Sequence, residues 1–388
     1  MRVKLKDAFN LQMGKTPSRA DLSLWGGNNK WISIADIGSA KKHISSTKEC
    51  ITDEGVLRSG IKVVPEGTVI MSFKLSIGKT AIVSEDMYTN EAIMAFIDNG
   101  TYCIDPNYLY HLCCGTDWTQ GGNKAVMGLT LNKATLSEME IELPTLEEQR
   151  EIASILDQLD AIIEKRHDEL NMIEQLVKSR FIELFGDVIH NSKAWQMRLF
   201  ADIASSRLGK MLDAKQQTGK CSYPYLANFN VQWFRFNIEN LNQMDFDEDD
   251  RAEFELKDGD LLVCEGGEIG RCAVWHNEIQ PCFFQKALHR VRCNRQIIQP
   301  DYLAWWFKYN CDHDGFAAIA GAKATIAHLP GVKLKQLQVA VPPIELQQQF
   351  AAFVEQTDKS KYFACQTLSF LLKLANNLQS WREKQYDY

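Results

Sequence analysis

The sequence predicts an α+β chain: two similar strand-rich α/β globular modules separated by two long helices packed as an antiparallel coiled coil, with a pseudo-two-fold internal repeat. Three observations predict it. LPTLEEQREIASILDQLDAII, Leu143 to Ile163, returns as VPPIELQQQFAAFVEQTDKSK, Val341 to Lys361, at an offset of 198. The stretches before them also match, since GTVIMSFKLSIGKTAIV from Gly67 parallels GDLLVCEGGEIGRCAVW from Gly259 at an offset of 192. Each repeated string opens a run of about 40 residues whose apolar positions recur every three or four residues, the period of an amphipathic helix. A repeat of half the chain far exceeds the short period of a solenoid. It means two similar modules for two similar targets.

Residues 1–143 form the first expected module. Short apolar runs of strand length (WISIADIG, GTVIMSF, GKTAIVSE, EAIMAFID) are broken there by Gly, Pro, Asn and Asp. Residues 144–187 form the first spacer helix. After Pro144 this segment holds no Pro or Gly until Gly186, and its apolar stripe runs from Ile152 through Leu156, Leu159, Ile163, Leu170, Val177 and Phe181 to Leu184. Thr145 and Glu148 make a capping-box pattern at its start, and Gly186 suits its stop. Residues 190–341 repeat the strand-rich style. Residues 343–384 repeat the helix, with a stripe from Phe350 and Phe353 to Leu378 and Trp381. Each helix would be about 60 Å long at 1.5 Å per residue. A helix that long exposes its stripe unless it finds a partner, and its own repeat is the nearest one. Arg166 and Glu169 interrupt the stripe and mark where the pair meets solvent or another protein.

Within the modules the repeat runs in order. Lys4-Leu5 aligns with Arg198-Leu199, Gly14-Lys15 with Gly209-Lys210, and Ile34 to Ile37 with Leu226 to Phe229. Asn90-Glu91-Ala92 aligns with Gln285-Lys286-Ala287, Asp105 to Leu109 with Gln299 to Leu303, and Lys124 with Lys323. Glycines, prolines and apolar positions recur, the residues that set turns and core. Loop side chains differ, so the two modules are expected to bind related but different things.

Composition bounds the class. The 388 residues carry a net charge of −7, which argues against non-specific coating of nucleic acid but not against a site-specific reader with local cations. Eleven cysteines without a CxxC pair fit reduced thiols in a cytoplasm. The start MRVKLKDAFN alternates polar and apolar residues, so it reads as a strand and not as a signal peptide, and no apolar run is long enough for a membrane span.

Catalytic signatures are missing. Gly78-Lys79-Thr80 supplies only the tail of a phosphate-binding loop, and Gly267 to Gly270 is too short for a dinucleotide turn. Asp105-Pro106-Asn107-Tyr108 is similar to the DPPY-type motif of adenine methyltransferases, but its repeat, Gln299-Pro300-Asp301-Tyr302, lacks the acid. Proline opening a helix with aromatics in the core accounts for both copies. Asp312-His313-Asp314 reads as a solvated loop, because alternate positions share no helix face and no further ligand lies near. The acidic stretch Asp245 to Asp250 reads as an exposed loop turned away from phosphate.

The order module, LPxLEEQxxIAxILDxLD helix, module, second helix resembles the specificity subunit of a Type I restriction-modification system over essentially the whole chain. The string Leu143 to Asp160 is its most specific signal, and the IGKTA and IGRCA pair is a second. The resemblance implies that each module is a target recognition domain reading one half of a split, asymmetric double-stranded DNA sequence. It implies that the helices form a spacer and dock two modification subunits. Those partners would bind S-adenosylmethionine and methylate adenine, and a restriction subunit would cleave unmodified DNA in defence against foreign DNA. The chain itself is then expected to hold no cofactor and no metal and to catalyse nothing. Two departures are visible. Phe350 and Phe353 stand where the first helix has Ile152 and Ile155, which puts equal docking by the two helices in doubt. The first module begins almost at Met1, so an N-terminal helical segment is expected to be absent. A two-module protein-binding scaffold with a coiled-coil spacer remains the alternative.

Candidate DNA contacts are the basic and amide residues of polar, glycine-flanked loops. In the first module these are Lys15, Asn28, Asn29, Lys30, Lys74, Asn123 and Lys124. In the second they are Lys210, Asn228, Asn230, Arg235, Arg271 and Lys323. Cations suit phosphate or guanine and Asn suits adenine. Lys15 with Lys210, and Lys124 with Lys323, are expected at phosphate, because a residue shared by both modules cannot distinguish two half-sites.

Overall fold

The structure is a computed structural model that describes residues 1–74, 76–118, 123–125, 128–213, 217–317 and 328–384, the side chains of 123–125, 128–130 and 376–384 excepted. The chain divides into two compact units, residues 1–167 with 366–388 and residues 168–365. Both divisions fall within the long helices Leu146–Phe185 and Ile344–Lys384.

The first module is built on a five-stranded sheet. Its strands lie in the order Phe9–Met13, Ile93–Asp98, Val69–Ser72, Thr80–Val83, His43–Ile44, and only the last pair is parallel. The central strands are mainly apolar because both faces are covered. Val69, Met71, Ile82, Met94 and Phe96 point into one cluster with Tyr108 and Leu109, while Ile70, Ala81, Val83, Ile93 and Ala95 point into another. That is the two-residue alternation of a strand buried on both sides. A smaller sheet places Trp25–Ile32 between Glu49–Ile51 and a parallel Tyr88–Thr89.

The second module repeats this plan. Ala204–Leu208, Leu288–Cys293, Leu261–Cys264 and Cys272–Val274 form the matching sheet, and Ser222–Leu226 lies between Asn242–Asp245 and a parallel Phe283–Phe284. In each module the first strand pairs with the one that leads into the long helix: Arg2–Lys4 with Glu140–Glu142, and Gln196–Leu199 with Gln338–Val341. Gly14 and Gly209 mark the same crossing. A Cβ would lie 2.0 Å from the Thr89 carbonyl oxygen at Gly14 and 2.4 Å from that of Gln285 at Gly209, so only glycine lets the two backbones approach.

Two sequence expectations need correction. Ile34–Ser39 is a short helix and not a continuation of the preceding strand, because Ser33 and Asp36 cap each other reciprocally. The strand pairing of each module also makes Ile32, not Ile34, the equivalent of Leu226, so the offset there is 194. The acidic stretch Asp245 to Asp250 is not a loop and is exposed only at Asp247, Glu248 and Asp249. Asp245 is buried and accepts from the Thr218 and Gly219 N–H groups at 2.5 and 2.8 Å, and Asp247 with Asp250 forms the capping box of the helix Glu248–Phe254.

The first long helix begins as the sequence predicts. Glu148 accepts from the Thr145 N–H at 2.8 Å while the Thr145 hydroxyl accepts from the Glu148 N–H at 3.3 Å. It ends at Gly186, whose φ of +71° is left-handed, and Lys193 donates to the otherwise unmet carbonyls of Glu183 and Leu184 at 2.6 and 3.1 Å. In residues 168–365 the end of this helix meets the start of the second. Phe350 packs edge-on against Phe181 and Phe185 at 5.5 and 5.4 Å, and Lys361 pairs with Glu174 at 2.6 Å. One helix is read backward as the other is read forward, so this stretch is antiparallel. All eleven cysteines are free thiols.

Phe350 is fully buried among Phe181, Phe185 and Trp305. Phe350→Ala is expected to destabilise this unit by about 3–5 kcal/mol. Urea titration followed by tryptophan fluorescence measures it, and a loss below about 1 kcal/mol would place the ring outside the core.

Candidate functional site

Each long helix is fastened to its module by one buried glutamine. Gln149 Nε2 donates to the carbonyls of Cys103 and Pro144 at 3.1 and 3.0 Å, and its Oε1 accepts from the Asp105 N–H at 2.9 Å. Gln347 repeats the arrangement, donating to Ile297 and Pro342 at 3.1 and 2.8 Å and accepting from the Gln299 N–H at 2.8 Å. Both side chains thus spend two donors and one acceptor on backbone. The N–H groups they receive open the helices Pro106–Gly115 and Pro300–Asp312. Tyr108 and Tyr302 on these helices donate to the Glu142 and Ala340 carbonyls at 2.9 and 2.6 Å, tying them also to the strand before the long helix. Asp105 is the helix cap, accepting from the Asn107 and Tyr108 N–H groups, which accounts for the acid of the DPNY string without catalysis.

The other end of Pro106–Gly115 reaches the opposite end of the sheet. Trp118 lies beside Gly78 in the hairpin between Val69–Ser72 and Thr80–Val83, and in the second module Phe307 and Phe316 lie beside Gly270 in the equivalent hairpin. Strand register puts the segment after Met13 and the segment before Ile93 at this same end, since Met13 faces Met94 and Ser72 faces Ile93. Leu208 facing His289 and Cys264 facing Leu288 do the same in the second module. This end therefore gathers Lys15, Lys74 and Lys79 in one module, and Lys210, Arg271, Lys286 and Asn228 in the other.

Several candidates are held by the protein itself. Lys15 donates to the Ser59 carbonyl at 3.2 Å. Lys210 donates to the Asp245 carbonyl at 2.7 Å and pairs with Asp250. Arg271 donates to the Asn228 side-chain oxygen at 2.5 Å, and Asn228 in turn donates to the Gly266 carbonyl at 2.8 Å. Asn29 donates to Asp53 at 2.8 Å, and Lys30 pairs with Glu85, away from the gathered end. Asn230 needs the plainest correction: it is buried, accepts from the Ala227 N–H and donates to the Asn237 carbonyl, each at 2.9 Å, so it holds a turn. Asn28 and Arg235 are exposed, with no side-chain hydrogen bond or ion pair among the described residues. Lys74 lies over the Phe73 ring. Asn123 and Lys124 sit in the strand Asn123–Ala125, and Lys323 lies outside the described residues.

Lys79 and Lys286 were missed. Lys79 aligns with Arg271 inside the repeated IGKTA and IGRCA strings, and its ammonium lies against Gly38 in the short helix that corresponds to the Asn228 turn. A cation at both copies was the available signal. Lys286 stands where the first module has Glu91, a charge reversal legible in the alignment.

The joint beside the first clamp is charged. His111 is buried and its Nε2–H donates to Asp157 on the long helix at 2.6 Å, while Lys42 pairs with the same carboxylate at 2.5 Å. Burial pushes the imidazole below its ordinary range despite Asp157. For Asp157 burial works upward, but the hydrogen bonds from Lys42 and His111 prevail and hold the carboxyl low. Neighbouring Asp160 is pushed up by burial. The corresponding place in the second module is aromatic: Trp305 stacks on Phe234 at 4.5 Å and meets Phe350 edge-on at 6.0 Å. Among the described residues no group of His, Cys, Asp and Glu is arranged to hold a metal, and no helix is long and apolar enough to cross a membrane. Asp312 pairs with Lys308 and Lys178, and His313 binds the Tyr309 carbonyl.

The family model described as Type I restriction modification DNA specificity domain matches residues 1–175 and 192–363. The Type I restriction enzyme MjaIX specificity subunit of Methanocaldococcus jannaschii is 27% identical over 225 residues, 53% of this chain and 52% of that one. The EcoprrI specificity subunit of Escherichia coli is 24% identical over 171 residues, 41% and 42% of the two chains. The chain thus matches about half the length of these relatives or less. The S subunit of a Type I system from M. genitalium superposes with a TM-score of 0.59 at 14% identity, covering 98% of this chain and 94% of that one. A chain from a type I R-M system, solved for its complex assembly and conformational transition, gives 0.61 at 15% identity, covering 98% and 96%. At such identities the likeness is one of fold.

The charged joint carries a pH dependence. Because the folded His111 takes up a proton less readily than the unfolded one, its contribution is whole above about pH 6.5 and is lost as pH falls from there through the folded value. Asp157, also depressed, adds a loss at lower pH. The urea midpoint is expected to fall between pH 7.5 and 5.5, and to fall less in His111→Gln. An equal fall in both proteins would remove His111 as the cause.

Proposed function

This chain belongs to the Type I restriction-modification DNA specificity family, and from that premise we propose that it selects the DNA target for a Type I restriction-modification complex. Residues 1–143 and 190–341 each read one half of a split, asymmetric site in double-stranded DNA. Residues 144–187 and 343–384 form the spacer between them. The observation that carries this reading is the duplicated sheet end: one scaffold, built twice, presents cations at matching places and unlike side chains around them. Matching cations suit phosphate, which is the same in every sequence, and unlike neighbours suit different bases.

The spacer also offers a docking surface. Ile155 and Ile162, seven residues apart on the first helix within residues 1–167, are both exposed. Apolar side chains recurring at that interval share one face, and a face of this kind suits a helical partner. Two modification subunits docked there would carry S-adenosylmethionine and transfer its methyl group to adenine N6, and a restriction subunit would complete the complex. This chain supplies position and no chemistry. Two short half-site contacts joined by a stiff spacer act as one strong site, because binding the first raises the effective concentration of the second. Half-sites about 34 Å apart, one turn of B-DNA, would let both modules approach the same face of the duplex.

Two experiments test this. Expression with the cognate modification subunit in a methylation-free host, followed by genome-wide mapping of N6-methyladenine, is expected to give one asymmetric split motif that vanishes when this chain is omitted. A stable complex that leaves no motif would favour the protein-binding scaffold. Lys124→Glu is expected to weaken binding to all DNA sequences and to lower the salt slope by about one unit. Unchanged affinity across several salt concentrations would take Lys124 out of the interface.

A further inference from the structure

We propose that Gln149 and Gln347 are positioning residues that set the gap between half-sites which the complex accepts. The proposal rests on the reading above and names the part of the fold that makes the spacing selective. Around these two residues the modules differ freely: the cap Asp105 becomes Gln299, and the polar joint at His111 becomes Trp305. The glutamine keeps the same three backbone partners in both copies, and the tyrosine of the bracing helix keeps its one. The glutamine is 1% exposed at 149 and 0% at 347, so water replaces none of its bonds. Glu would keep the acceptor but lose both donors and bury a charge, and Lys would lose the acceptor. A side chain that donates twice and accepts once, at this length, is glutamine.

The clamp governs an angle. It ties the first turn of the long helix to the N–H of the residue, Asp105 or Gln299, that caps the Pro106–Gly115 or Pro300–Asp312 helix. The capped helix runs to the hairpin at the cation-bearing end of its sheet. Ten to thirteen residues of helix span about 15–20 Å. A rotation of about 10° at the clamp would then carry the reading loops about 3 Å, close to the 3.4 Å rise of one base pair. Loosening one clamp lets its module reach a neighbouring base step without changing which bases it recognises.

The test uses the complex of this chain with its modification subunit. Methylation is measured on duplexes carrying the mapped motif with its native gap and with the gap shortened or lengthened by one base pair. Gln149→Met and Gln347→Met keep side-chain volume and remove all three bonds. Gln149→Glu, which keeps only the bond from Asp105, is read in the same way if Met prevents assembly. Discrimination between native and altered gaps is expected to fall about tenfold in each variant, the scale of a lost buried bond network. The bases read within each half-site are expected to stay the same. A variant that melts earlier yet keeps wild-type gap discrimination would overturn the proposal and leave the glutamine a purely structural role. A wild-type complex with no split-motif preference would instead overturn the specificity reading itself.

Discussion

A glutamine amide buried where each long helix leaves its module is the constraint on which the remaining geometry depends. The long helix needs a fixed starting direction, but its entry strand is only three or four residues long. Gln149 and Gln347 join three backbone points: the loop before the bracing helix, the residue that caps that helix, and the proline-led entry to the spacer. Tyr108 and Tyr302 add a second attachment about one turn further along, and two attachments on one helix fix an orientation where one would leave a pivot. The sheet, packed on the bracing helix through Tyr108 and Leu109 or Tyr302 and Leu303, inherits that orientation.

Identical clamps coexist with unlike joints. In the first module two carboxylates of the long helix meet an imidazole and an ammonium; in the second a phenyl ring of the long helix meets an indole. Aromatic packing is indifferent to salt and pH, whereas a joint that holds a neutral His111 beside Asp157 weakens as acid is added. The two copies have therefore diverged in how firmly they are seated while keeping the direction in which they are seated. Phe350 in place of Ile152 belongs to the same divergence. The larger ring fills the space among Phe181, Phe185 and Trp305, a need that exists only where the joint is aromatic.

The long helices were legible because a 3.6-residue period sustained over forty residues has few other interpretations, and because the Thr145–Glu148 box and Gly186 mark the ends of the first chemically. The repeat was legible because glycines at close backbone crossings, such as Gly14 and Gly209, tolerate no replacement. Local errors had local causes. Ile34 to Ile37 looked like strand because two isoleucines favour extended chain, yet a Ser-x-x-Asp box outweighs them over so short a span. The inward bonds of Asp245 and Asp250 were not legible because their partners, Thr218, Gly219 and Lys210, lie 26 to 40 residues away and no spacing rule connects them. Asn230 looked like a polar loop residue for the same reason: its partner carbonyl at Asn237 comes near only once the turn has closed.

The charge distribution gives the modules a shared logic. The chain is negative overall, so its average field repels a phosphate backbone. In the second module, however, two acids near the gathered end are engaged inward, Asp245 by loop N–H groups and Asp250 by Lys210, while Lys286 there and Lys79 in the first module remain exposed. Acids spent on internal bonds cost the surface less cationic character than free ones would, because each is neutralised by a neighbouring donor. A module of this kind attracts DNA only at short range, within about a Debye length of 8–10 Å. On the reading proposed above, one module alone would hold its half-site weakly, and firm binding would require both to be seated at once. The stiffness of the spacer, and of the two amides proposed to anchor it, would then become sequence selectivity.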